Sequence, residues 1–112
     1  IIHTKTGQRI ATNVHYARTF KERLLGLMFK KNMNGMGGLI LEPCQSIHNC
    51  FVRFPIDVIF LSNGNEVIKI IRSFKPWRFS LFYMRSRRVL ELPENTIPNN
   101  VEQGDFLEVL GV

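Results

Sequence analysis

The sequence predicts a mainly β domain, a β-rich α+β fold built as a compact antiparallel β-sandwich or partly closed barrel with one short α-helix near residues 20–28. Three observations predict it. From Gly38 onward, short runs rich in Val, Ile, Leu and Phe are separated by turn residues at close spacing. An Asn63-Gly64 dipeptide joins two of these runs, as in a tight hairpin. Both of those runs are apolar on each face apart from Asp57 and Lys69, the pattern of strands held between two packed layers.

Each element has a local reason. Residues 8–14 read as the opening strand, because a Thr6-Gly7 turn signal precedes a stretch with Ile, Thr and Val. Thr19 and Glu22 have capping-box spacing, in which hydroxyl and carboxylate satisfy the first free backbone amides of a helix. Phe20, Leu24, Leu27 and Met28 then recur at helical spacing. Residues 30–38, with two Asn and three Gly, form a loop that returns the chain to the sheet. Strands follow at 39–42, 46–51, 56–62, 66–74, 89–92 and 106–110, and the helix covers one open side.

The 112 residues suit a single domain spanning 1–112, with no room for a separate catalytic unit. A composition of 45% hydrophobic and 21% charged residues excludes a disordered or collagen-like chain. No apolar run approaches the roughly 20 residues of a membrane-spanning helix. The chain starts at Ile1 with no visible signal peptide, so the cytoplasm is favoured slightly, with a mature exported form as the alternative. The two cysteines, Cys44 and Cys50, read as free thiols in preference to a small disulfide loop.

Fifteen Lys and Arg against nine Asp and Glu give a formal charge of +6, unevenly placed. Residues 72–90 hold six basic side chains and no acid, whereas residues 91–112 hold five acids and no base. If these two runs pack side by side they cancel each other's field, so whether Glu91 to Glu108 covers Arg78 to Arg88 is the question the sequence poses.

Three constellations could carry chemistry. Cys44, His48 and Cys50 are the nearest approach to a zinc set, but a fourth donor is missing and no metal or cofactor is predicted. Arg53 and Asp57 flank Phe54-Pro55-Ile56. An ionised Asp57 in an apolar strand needs backbone amides or a guanidinium as partner, and the preferred role is to tie down the Pro55 turn. Residues 75–88 interleave Trp77, Phe79, Phe82 and Tyr83 with Arg, a combination that suits stacked bases or a membrane surface. The plainer expectation is that these aromatics are core and the Arg stems lie across them.

Several ordered motifs resemble one family over nearly the whole chain. They are Ala11-Thr12, Arg23-Leu24-Leu25-Gly26-Leu27-Met28, Gly35-Met36-Gly37-Gly38-Leu39, Cys44-Gln45-Ser46-Ile47-His48, Arg53-Phe54-Pro55-Ile56-Asp57-Val58-Ile59-Phe60-Leu61, Lys75-Pro76-Trp77, Val89-Leu90-Glu91-Leu92-Pro93 and Gly104-Asp105. This set resembles the bacterial and archaeal family called domain of unknown function 192, in its histidine-bearing branch by Ile47-His48. The resemblance implies a compact, mainly β fold with a short helix and no established reaction. Glu94-Asn95 and Pro98-Asn99-Asn100 depart from the small-residue stretch usual in the family. If the motif residues line one surface, His48, Arg53, Asp57, Trp77, Glu91 and Asp105 are its polar and aromatic candidates.

The leading expectation is therefore a non-catalytic binding or accessory module with a shallow site near His48, Asp57 and Trp77 for a small molecule or a partner segment. The alternative is a hydrolase-type enzyme using Cys50 or His48 with Asp57 as orienter. A third reading is contact with an anionic surface or nucleic acid through residues 75–88, nucleic acid being disfavoured. A monomer is expected.

Overall fold

A computed structural model gives the fold, and the residues it describes are 1–19, 22, 37–47 and 54–109. Seven strands run in the order β1 (Ile2–His3), β2 (Val14–Ala17), β3 (Gly38–Leu41), β4 (Ile56–Leu61), β5 (Val67–Phe74), β6 (Arg88–Pro93) and β7 (Leu107–Glu108). Five form one sheet in the order β2-β3-β6-β4-β5, and β1 pairs with β7 in a two-stranded sheet. The result is mainly β and sandwich-like, with unclosed sheets.

Side-chain alternation places a core on each face of the larger sheet. Ile40, Ile59, Leu61, Leu90 and Leu92 pack on one face with Ile97, Val101 and Leu107. Leu39, Leu41, Val58, Phe60 and Val89 pack on the other with Ala17, Ile47 and Phe74. All six residues of β4 are buried, which explains its near-continuous apolar sequence.

The sheet departs from a purely antiparallel pattern at one edge, where β2 and β3 are parallel with Val14 opposite Gly38. Parallel neighbours need a crossover, which residues 18–37 supply. The expected helix near 20–28 lies outside the described residues except Glu22. Its capping box is formed: the Glu22 carboxylate accepts the Thr19 N–H at 3.0 Å, and the Glu22 N–H donates to Thr19 Oγ1 at 3.1 Å. Gly37 is where the crossover rejoins the sheet. A Cβ there would stand 1.5 Å from the Thr12 carbonyl oxygen, so only glycine fits the close approach.

Three local expectations are corrected. The first principal strand is Val14–Ala17 and not residues 8–14. Residues 8–10 fold back on the chain start, with His3 N–H donating to the Gln8 carbonyl at 2.8 Å and Ile10 N–H to the Ile1 carbonyl at 2.8 Å. Ser46 and Ile47 are not in a strand, and residues 48–51 of that expected strand lie outside the described residues. The hairpin between β4 and β5 exists, but the bonded pair Ser62 and Glu66 that closes it encloses three residues, 63–65. Ser62 accepts the Asn65 N–H at 2.9 Å and donates to Glu66 at 2.9 Å, and the left-handed residue is Asn65 at φ 67°. This is a turn closed by a left-handed residue, in place of the two-residue turn that Asn-Gly suggests.

Opposite β4, the β5 strand carries two register shifts, one between Ile56 and Val58 and one between Phe60 and Leu61. At the first, two steps along β4 match three along β5, from Ile71 to Phe74. The extra residue makes a β-bulge that includes Ser73, whose φ is 54°.

Candidate functional site

Asp57 sits in the bulge region at 1% exposure. Its Oδ1 accepts the Ser73 N–H at 3.0 Å, and its Oδ2 accepts Thr96 N–H at 3.1 Å and Ile97 N–H at 3.3 Å. Backbone amides thus satisfy the buried carboxylate, one of the two solutions its sequence context requires. The anchored segments are the end of β5 and the 96–97 loop, so the expected tie to the Pro55 turn is corrected. Both oxygens are engaged in holding main chain.

Glu91 lies opposite Val58 in the β4–β6 ladder, so it shares the face of Val58, while Asp57 points to the other. The structure does not bring the two acids together. Glu91 is buried, its Oε1 has no hydrogen-bond partner among the described residues, and burial pushes its carboxyl up to about 8. It is a neutral acid at neutral pH. Asp105 belongs to a third place, beside β1. Its Oδ2 meets His3 Nε2 at 2.8 Å and accepts Glu102 N–H at 3.1 Å, and the His3 hydrogen bond, helped by the Glu102 amide, holds the carboxyl below its usual range. Thr6 Oγ1 meets the other His3 ring nitrogen at 3.0 Å. His3 is fully buried, and sequence reading overlooked it as a structural histidine.

His48, Cys50 and Arg53 lie outside the described residues. The Cys44 thiol donates to the Ser46 carbonyl at 3.0 Å. It lines a surface cavity of about 420 Å³ with Pro43, Gln45, Met84, Arg85 and Arg87. A second cavity of about 370 Å³ lies by Arg9, Thr12, Tyr16, Ile40 and Val109.

Trp77 lies beyond the end of β5 at φ 62°. It opens an exposed apolar run: Trp77 is 57%, Phe79 75%, Leu81 74%, Phe82 62% and Met84 80% exposed. The expectation that the aromatics of 75–88 are core is corrected for Trp77, Phe79 and Phe82. Tyr83 does turn inward, its ring 4.6 Å from that of Phe60.

Sparse anchors explain this exposure. Ser80 N–H donates to the Ile47 carbonyl at 2.8 Å, and Tyr83 N–H to the Gln45 carbonyl at 2.8 Å. Ile47 N–H donates to Ser80 Oγ at 2.8 Å, and Gln45 Nε2 to the Met84 carbonyl at 2.9 Å. Ser86, buried, donates its hydroxyl to the Cys44 carbonyl at 2.9 Å. Residues 80, 83 and 86 hold the segment on the body while 79, 81, 82 and 84 project. The signal in the sequence was Leu81 and Met84, which no strand or helix periodicity claims.

The basic side chains of this segment do not pair with the acidic C-terminal run among the described residues. Arg88 Nε meets Glu42 Oε2 at 2.6 Å, and Arg18 Nε meets Glu42 Oε1 at 3.1 Å. Burial pushes the Glu42 carboxyl up, but the two guanidinium groups outweigh it and leave it below its usual range. Arg85 meets Glu66 at 3.1 Å, and Arg72 donates to the carbonyls of Ile97 and Pro98 at 2.7 and 3.0 Å. Lys75, Arg78 and Arg87 are exposed around the apolar run.

Comparison with known proteins agrees with the motifs. Residues 1–109 match the model of the DUF192 family, described as Uncharacterized ACR. A UPF0127 protein of Pyrococcus furiosus is 34% identical over 114 residues, covering 96% of each chain. A UPF0127 protein of Thermococcus sibiricus is also 34% identical, with 96% of this chain and 73% of the relative covered. The crystal structure of a protein of unknown function from Novosphingobium aromaticivorans superposes with a TM-score of 0.74 at 23% identity, covering 86% of this chain and 74% of the other. That likeness carries the fold alone. With its motifs, its fold and a family match over nearly all of its length, the chain belongs to the DUF192 family.

Proposed function

We propose that this chain is a non-catalytic binding or accessory module whose contact face is the exposed segment 77–84 together with the adjoining cavity at Cys44, Gln45 and Arg87. The observation that carries this reading is the set of five large apolar side chains, each more than half exposed, on a backbone anchored to the body at Gln45 and Ile47. Contiguous exposed apolar surface on a folded domain marks a place of contact. Asp57 supports the same reading as a positioning group. It fixes the bulge at Ser73, from which the chain leaves β5 toward Trp77. His48 and Arg53 lie outside the described residues and remain binding candidates from the sequence alone.

Replacing Leu81 and Met84 by Ser tests the assignment. A contact face tolerates the double change with stability kept within about 0.5 kcal/mol, as for surface positions. A loss above about 2 kcal/mol would make the segment part of the core and overturn the reading. The hydrolase-type alternative, with Cys50 or His48 assisted by Asp57, requires a thiol activated at neutral pH. Thiol labelling at the rate of an ordinary exposed cysteine counts against it, and unusually fast labelling of Cys50 favours it.

A further inference from the structure

We propose that the 77–84 segment docks on an anionic phospholipid surface, Leu81, Phe82 and Met84 entering the interfacial layer while Lys75, Arg78 and Arg87 meet lipid headgroups. The proposal rests on the reading of this segment as a contact face and names its partner.

Three features select a lipid surface. First, the projecting set mixes Phe79 and Phe82 with the aliphatic Leu81 and the thioether Met84, the last two being 74% and 80% exposed. Nucleic acid rewards aromatic rings that stack on bases and offers little to Leu or Met. A bilayer interface accepts all four, with Trp77 suited to headgroup level. Second, residues 72–90 contain no acid. The basic side chains flanking the apolar tip complement a negative surface, and each near the surface strengthens binding about fivefold. Arg85 contributes less, because Glu66 Oε1 lies 3.1 Å from its guanidinium. Third, Ser80, Tyr83 and Ser86 bond to the 44–47 segment, so the apolar tip is held in its outward presentation before it meets a partner. No helix of the described residues is long and apolar enough to cross a membrane, so attachment through this segment would be peripheral.

Co-sedimentation with vesicles tests this. Vesicles of phosphatidylcholine with about a third phosphatidylglycerol are expected to carry the protein down at low salt, with binding falling steeply as salt rises through a Debye length shorter than about 5 Å. Pure phosphatidylcholine vesicles are expected to leave most of it in solution. Leu81→Ser/Met84→Ser is expected to weaken binding to the anionic vesicles at least about tenfold, and Arg78→Gln/Arg87→Gln by a similar factor. Equal sedimentation of parent and Leu81→Ser/Met84→Ser overturns the proposal, because attraction without insertion needs no apolar tip. Failure to bind anionic vesicles overturns it too, as does salt-sensitive binding to a single-stranded oligonucleotide with none to vesicles. Each of these failures leaves the stability of the Leu81→Ser/Met84→Ser variant, and with it the contact-face reading, separately measured.

Discussion

The Asp57 carboxylate accepts the main-chain N–H of Ser73 at 3.0 Å, where the β4–β5 ladder takes in an extra residue and Ser73 adopts a φ of 54°. A residue with left-handed backbone inside a strand leaves amides that the regular ladder cannot satisfy, and a buried acceptor compensates for them. The same carboxylate holds Thr96 and Ile97, so one side chain fastens the end of β5 to the loop after β6.

Asp57→Ala therefore strands three main-chain donors in a dry setting. The expected loss is about 3 kcal/mol in chemical denaturation. A loss below about 1 kcal/mol would show that water or neighbouring groups replace the carboxylate.

Glu91 gives a pH signature. Its carboxyl is raised from 4.5 to about 8 by burial. Between those values the folded state keeps a proton that the unfolded state has lost, so the unfolded chain binds fewer protons and stability falls as pH rises. The expected slope is about 1.4 kcal/mol per pH unit from this group, levelling off above about pH 8. Glu91→Gln is expected to remove that slope and leave the variant more stable than the parent at pH 8.5. Parallel pH profiles for the two proteins would contradict the assignment.

Gly37→Ala is expected to cost at least about 3 kcal/mol, because the added methyl, which has no rotamer to escape into, meets the Thr12 backbone carbonyl. Gly64→Ala, with nothing within 4 Å of the added carbon, is the matched control and is expected to stay within about 0.5 kcal/mol of the parent. Thermal melts of the two variants check the difference.

Much of this fold was legible in the sequence because burial writes itself into composition. Ile56, Val58 and Phe60 face one layer and Ile59 and Leu61 the other, and that double burial is what made the segment apolar on both faces. Thr19 and Glu22 were legible for a different reason, since a capping box is a local bond pattern at fixed spacing. The parallel pairing of β2 with β3 was not, because parallel and antiparallel neighbours bury the same residue types. Nor could spacing tell that Asn65, instead of Asn63 or Gly64, takes the left-handed conformation.

Of the six candidate site residues, Asp57 was marked by its charge in an apolar strand, and Glu91 and Asp105 by their place in the family-like motifs. The structure holds the three acids by different means: backbone amides for the buried Asp57, a raised carboxyl for the buried Glu91, and a buried histidine for the half-buried Asp105. The exposed run was misjudged in the opposite sense. Phe79 and Phe82 carry the same composition whether they face a core or a partner, and only the anchoring of residues 80 and 83 decides the direction.

Trp77 is the single tryptophan of the chain and stands at the start of the proposed contact face, so its emission reports on that face alone. Titration with phosphatidylglycerol-containing vesicles at low salt is the most direct test. The account predicts a shift of the emission to shorter wavelength, reversed by added salt and absent with phosphatidylcholine alone. An unchanged spectrum at saturating anionic lipid would contradict it.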